Sequence, residues 1–392
     1  MQKHLLTYYI IILLLGVNIS VYGQSSDTLQ NLTLQTITIT AFKEKPAEKN
    51  AAIITAFSLD SVNPTGNFNL TDRIAQIPGV DLLGTGPAIS KPVIRGSYGN
   101  RILILLNGLK FDNQQWQDEH GLGLSDLGLS KVEIIKGPLG VLYGSEALGG
   151  VINLIEEEKP SRGQSASEFG LRFNTNTLGG LIQGGWQKNA GKHWWRIRGG
   201  IENHADYRNG KSQRVLNSRF TGYHLKGTFG FLKKNWRSTN NLMSSFTQSG
   251  FIFNDIYNFI TPDARWSRNL SENPSHLVIL NVLSSENKIH FAESDLYFNV
   301  GIQSNDRLEN EGAGAISLNI HLLTFQYLLK WERNLSTKTR LIISHLHSFK
   351  INTNYGARKI IPDANLHEAN ASVYLETTVQ PGIILENGFG LG

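Results

Sequence analysis

The sequence predicts a small α+β domain followed by antiparallel transmembrane β-barrel strands. Three observations carry this expectation. An apolar stretch, Leu5 to Val17, opens the chain and is too short to cross a bilayer comfortably. Residues 51–157 mix one helical pattern with several short strand patterns. From Ser167 onward the texture changes to runs of about ten residues that alternate apolar and polar side chains, the length of a tilted membrane strand.

Composition narrows the classes. The 392 residues contain no Cys, which excludes disulfides, thiolate metal sites and a lipid-modified cysteine anchor. The 37 basic and 32 acidic residues give a net charge of +5, with no basic cluster, so no nucleic-acid partner is expected. Glycine is abundant, at 39 residues. A mean hydropathy of −0.21 is compatible with a barrel because alternating strands average out.

Taken in order, residues 1–23 read as a signal peptide with a cut before Gln24. Residues 24–50 read as a flexible N-terminus. Within it, Thr36-Ile37-Thr38-Ile39-Thr40-Ala41 alternates Thr with apolar residues and forms a ready strand beside a charged linker. Such a strand needs a partner edge, the setting for β-augmentation. Asn69 to Ile77 reads as a helix with Thr71 as its cap and Pro78-Gly79 as its stop. Val80 to Leu83, Pro92 to Gly96, Arg101 to Gly108, Lys131 to Lys136 and Val151 to Ile155 read as strands. The Arg101 strand carries a continuous apolar run, so it should be buried on both faces. Asn107-Gly108 is a hairpin-type turn. Gly84 to Ser90 and Asp112 to Gly123 read as loops.

In the second half, Phe169, Leu171 and Phe173 share one strand face. So do Trp195, Ile197 and Ile201, and Leu296, Phe298, Val300 and Ile302. Leu323, Phe325, Tyr327, Leu329 and Trp331 form another such set. Short turns at Asn189–Lys192 and Asn334–Ser336 contrast with a long polar stretch from Thr247 to Ser275. That asymmetry favours a membrane barrel over a soluble β-sandwich.

The stretch Ser130 to Ile155 resembles the plug domain of TonB-dependent outer-membrane receptors. The matching residues are Val132-Glu133, Gly137-Pro138, Leu142-Tyr143-Gly144 and Gly149-Gly150-Val151-Ile152-Asn153. Upstream, Ile77-Pro78-Gly79-Val80, Ile94-Arg95-Gly96 and Leu106-Asn107-Gly108 follow the same family order. The resemblance implies a TonB box at about 35–41, a plug over 51–157 and the N-terminal part of a barrel over 158–392. It implies that Arg95 and Glu133 sit in strands and pair with barrel charges to hold the plug. Residues Gly96, Asn107, Gly108, Gly137, Pro138, Tyr143, Gly144, Gly149 and Gly150 are implied to shape that domain. The implied activity is import of a scarce nutrient across the outer membrane, with the plug inside the barrel and the box in the periplasm. The implied partners are TonB with its energising complex, outer-membrane lipid, the barrel assembly machinery and a small metal-complex ligand. A siderophore, haem, cobalamin or other metal complex is expected rather than a glycan, and no catalytic residue or cofactor is expected.

Trp116, Asp118, Glu119 and His120 lie close together in one expected plug loop and are candidate ligand or metal-chelate contacts. His345 and His347 share a strand face with Leu341, Ile343 and Phe349, which favours an interface position. Family barrels of this kind have 22 strands; at roughly 20–25 residues per strand with its connection, the residues after Glu157 supply about ten. The expectation is therefore a truncated receptor. The competing expectation is a soluble periplasmic or surface ligand-binding module in which a β-sandwich follows the plug-like domain.

Overall fold

A computed structural model of the chain describes residues 38–39, 45–46, 53–59, 67–113, 120–136, 143, 145–252, 260–261, 274–311, 316–357, 359, 361–381 and 383–392. The expected signal peptide lies outside the described residues. So do Thr36, Ile37, Thr40, Ala41, Trp116, Asp118, Glu119, Gly137, Pro138 and Gly144.

The α+β domain is built around the apolar run Ile102–Leu106, in which every residue is buried. A strand of that composition has no polar face to offer water, so it must be covered on both sides. It runs parallel to Gly150–Glu156, with Ile104 opposite Ile152. Leu129–Lys136 pairs antiparallel with that strand, and Ile53–Ser58 forms the outer edge beside it. Asn107 and Gly108, at φ 54° and 69°, make the two-residue turn that returns the chain into Leu109–Lys110.

Two expectations for this domain are corrected. The helix is Leu70–Ile74, and its cap is Asn69 rather than Thr71. The Asn69 side chain accepts from the backbone N–H of Asp72, and the Asp72 carboxylate accepts from that of Asn69. This reciprocal capping leaves Thr71 buried on the inner face, where its hydroxyl donates to the Ser90 carbonyl at 3.3 Å. The segment Gly84 to Ser90 is not a free loop. Val80–Gly86 pairs with Ile89–Ile94, and Gly84 stands opposite Ser90. A register shift between Gly84 and Gly86 absorbs the glycines, as a bulge does.

The second half is one eleven-stranded sheet in sequence order, from Ser165–Asn174 to Ile383–Leu391. The strands run from 9 to 19 residues, and most exceed the expected ten. Two short strands, Arg214–Val215 and Ile260–Thr261, pair with each other outside it. The connections at one end are residues 190–192, 234–235, 291–293, 335–338 and 381–382. At the other end they include 205–219, 251–274 and 355–363.

Polarity decides between barrel and sandwich. Phe169, Leu171, Phe173, Ile197 and Ile201 are exposed, whereas Arg196 and Arg198 between them in the pattern are buried. Gln303, Asn305, Arg307, Thr324 and Gln326 are likewise buried on the inner face. A sandwich buries its apolar face; here the apolar face is outward and the polar face packs on the α+β domain, the arrangement of a membrane barrel.

Candidate functional site

The seam between the two halves is largely polar and is centred on the strand end at Leu109–Lys110. The Lys110 carbonyl accepts from Gln303 Nε2 and Gln326 Nε2, each at 2.6 Å. Asp112 N–H donates to Gln303 Oε1 at 3.1 Å, and Thr324 Oγ1 donates to the Asp112 carboxylate at 3.2 Å. Asn113 Oδ1 accepts from Asn305 at 2.7 Å and from Arg307 at 2.6 Å. The strand periodicity explains this set: Gln303, Asn305, Arg307 and Glu309 are alternate residues of Ser294–Asn310, so all face inward.

The seam is not only polar. Met243, Leu280 and Val282 of the large sheet join the apolar core of the α+β domain, and Leu328 and Leu346 pack on Leu109.

Beside Lys110 lies a cavity of about 340 Å³. Its charged lining is Lys110, Asp112, Glu146, Lys350 and Glu368. Lys110 Nζ is 2.7 Å from Glu146, 3.2 Å from Glu368 and 3.4 Å from Asp112. Lys350 Nζ is 2.6 Å from Glu368 and 3.0 Å from Asp112. Burial by itself pushes the Lys110 ammonium toward neutrality, but the three carboxylates together outweigh it and raise its pKa. Lys110 therefore stays charged. The cavity opens among strand residues next to the long connections, with Asn352 and Leu366 on its wall.

The sequence-predicted residues fall as follows. His120 is buried against Glu309 of the large sheet. Glu133 is fully buried, and within its own domain it accepts from Asn153 Nδ2 at 3.0 Å with Lys131 at 3.8 Å. Arg95 is not in a strand: it follows Ile89–Ile94 at φ 50° and is exposed. Gly96 follows it at φ 75°. Tyr143 is buried, and a Cβ on Gly149 would sit 2.8 Å from the Arg101 carbonyl. Gly150 lies at φ 139° in its strand. Thr38–Ile39 pairs antiparallel with Lys45–Pro46. His345 and His347 lie on the outer face beside Tyr327, at ring distances of 5.6 and 5.7 Å. The lining residues Lys350 and Glu368 were not foreseen, because nothing near them in the sequence marks which strands meet Lys110.

Comparison with known proteins adds the decisive observation. Residues 46–151 match the family model of the TonB-dependent receptor plug domain. That segment is a plug domain of the kind found in TonB-dependent receptors, and the chain as a whole resembles them. Among curated relatives, a vitamin B12 transporter BtuB of Vibrio vulnificus is 29% identical over 203 residues, covering 49% of this chain and 32% of the relative. BtuB of Photobacterium profundum is 25% identical over 154 residues, covering 37% and 25%. The chain thus spans a third or less of these relatives. Among solved structures, the siderophore receptor PirA of Pseudomonas aeruginosa superposes with a TM-score of 0.63 at 14% identity, covering 87% of this chain and 56% of PirA. The FrpB iron transporter of Neisseria meningitidis gives 0.68 at 13% identity, covering 82% and 55%. These likenesses establish the fold: a plug on the inner face of receptor barrel strands.

Proposed function

We propose that this chain serves TonB-dependent import of a scarce metal complex across the outer membrane. The observation that carries the reading is the plug held on the polar inner face of the barrel strands, with a charged cavity beside Lys110. A siderophore, haem or corrinoid cargo is the reading most in keeping with relatives named as vitamin B12 transporters and siderophore receptors. In this reading the long connections face outward and the short turns face the periplasm. Thr36, Ile37, Thr38, Ile39, Thr40 and Ala41 form the TonB box and pair edge to edge with TonB. Trp116, Asp118, Glu119 and His120 contribute to ligand contact, and Arg95 and Glu133 to the stability of the plug. Outer-membrane lipid covers the apolar face, and the barrel assembly machinery inserts it.

The test is growth of a strain lacking the gene on defined limiting sources: ferric siderophores, haem and cobalamin. Growth should fail on one source and return with the gene only when TonB is present. Undiminished growth on all of them, or rescue without TonB, would sink the proposal.

A further inference from the structure

We propose that His120, His276 and Glu309 form a binding site for a divalent transition-metal ion, tying the plug to the barrel wall. The site binds bare metal whether or not the chain transports a cargo, so it stands apart from the import reading.

The strand register builds two-thirds of it. His276 and Glu309 are directly opposite each other on Ser275–His290 and Ser294–Asn310. Both face inward and are buried. Each lies one residue from the strand end nearest the long connections. The third group comes from the plug. Gly121 packs so closely on the hairpin that an added Cβ would lie 3.0 Å from the Ala88 carbonyl, and Leu122 N–H donates to the Ser90 carbonyl at 3.1 Å. His120 is therefore presented from a fixed backbone, with its ring 4.8 Å from that of His276, edge to face. One donor atom from each of the three residues lies within 4.8 Å of the others.

The protonation chemistry suits a metal. Arg307 Nη1 is 3.3 Å from His276 Nε2, and a guanidinium can only donate. His276 Nε2 thus accepts there through its lone pair, the electron pair a metal would take, and that atom lies 3.9 Å from Glu309. When a metal takes this lone pair, Arg307 gives up that contact and keeps Asn113. His120 contacts Glu309 through Nε2, while its buried Nδ1 has no hydrogen-bond partner among the described residues. The site therefore contains a buried polar atom that no described residue satisfies. Phe251 stacks on His276 at 5.7 Å and shields one side of the site. Two imidazoles and one carboxylate suit Zn²⁺, Co²⁺ or Ni²⁺ better than Mg²⁺ or Ca²⁺, and three protein donors leave a coordination position open. Bonds of about 2.0–2.2 Å require the donors to close by an ångström or so, drawing the plug loop toward the wall.

The experiment uses the protein extracted from membranes in detergent and stripped with a chelator. Titration with Co²⁺ should give one equivalent of binding with visible d–d absorption, displaced by Zn²⁺. His276→Ala and His120→Ala should each weaken binding at least tenfold, while the outer-face variant His345→Ala should bind like the wild type. Heat-modifiable migration reports whether each variant is folded. If His276→Ala fails to fold, His120→Ala on the plug loop decides. Wild-type affinity in a folded His120→Ala or His276→Ala variant, or loss of the signal in His345→Ala alone, would overturn the site.

Discussion

Asn69 does more than cap a helix. Its side chain accepts from Asp72 N–H at 3.0 Å and from Ser90 Oγ at 3.0 Å, and donates to the Pro87 carbonyl at 2.9 Å. It thereby joins the only α-helix among the described residues to the neighbouring hairpin. Asn69→Ala should cost about 1–2 kcal/mol of plug stability, read as a lower denaturant midpoint. An unchanged midpoint would show that the cap is dispensable. Asp72 carries a second, pH-dependent expectation. Burial raises its pKa above the ordinary 3.8, only partly offset by the N–H groups of Phe68 and Asn69 that favour the anion. A carboxyl with a raised folded pKa favours folding while protonated, and that contribution is lost as pH rises through the folded value. Wild type should therefore gain stability relative to Asp72→Asn as pH falls from neutral toward 3.8. A flat difference across that range would contradict the assignment. The cap itself was hidden from sequence reading, because Asn69 and Thr71 are both good capping residues and only the surrounding packing selects between them.

At the scale of elements, the barrel strands were legible because alternation is a property of each strand alone. Phe169, Leu171 and Phe173 announce their face with no knowledge of their neighbours. The hairpin at Gly84 was not legible, since its two glycines signal a turn and only the pairing with Ser90 shows that the strand continues. His276 and Glu309 were invisible for the same reason: their partnership exists only in the register between strands. Register also explains why Gly180 must be glycine. A Cβ there would lie 2.0 Å from the Arg172 carbonyl on the paired strand, a contact with rigid backbone rather than a movable side chain. Gly180→Val should disrupt pairing between Ser165–Asn174 and Gly179–Asn189. The measurable outcome is loss of the heat-modifiable folded band, whereas a normal band would mean the ladder can shift to admit the side chain.

For the whole molecule, the seam between plug and barrel sets how firmly the plug is held. Lys110 neutralises carboxylates from both bodies, Asp112 and Glu146 on the plug and Glu368 on the wall. Removing one partner of a buried charge cluster leaves the others uncompensated and costs about 3–5 kcal/mol. Lys110→Met should therefore lower the denaturant midpoint of the plug. An unchanged midpoint would mean that Lys350 alone compensates the carboxylates. The motifs from Ile77 to Asn153 revealed the plug, but the seam could not be read from them. Its partners lie 191 and 258 residues away from Asp112 and Lys110.

The position of Ile53–Ser58 at the rim of the plug sheet has a mechanical consequence. Among the described residues this strand stands at the end of its sheet and pairs with one neighbour, through six residue pairs from Ile53–Lys136 to Ser58–Lys131. Traction arriving from the N-terminal side meets it before any other plug strand. Directed across the ladder, the load peels the pairs open one after another at low force. Directed along the ladder, it shears all six together and meets far greater resistance. The plug is therefore an anisotropic fastener whose yield point depends on the angle of pull.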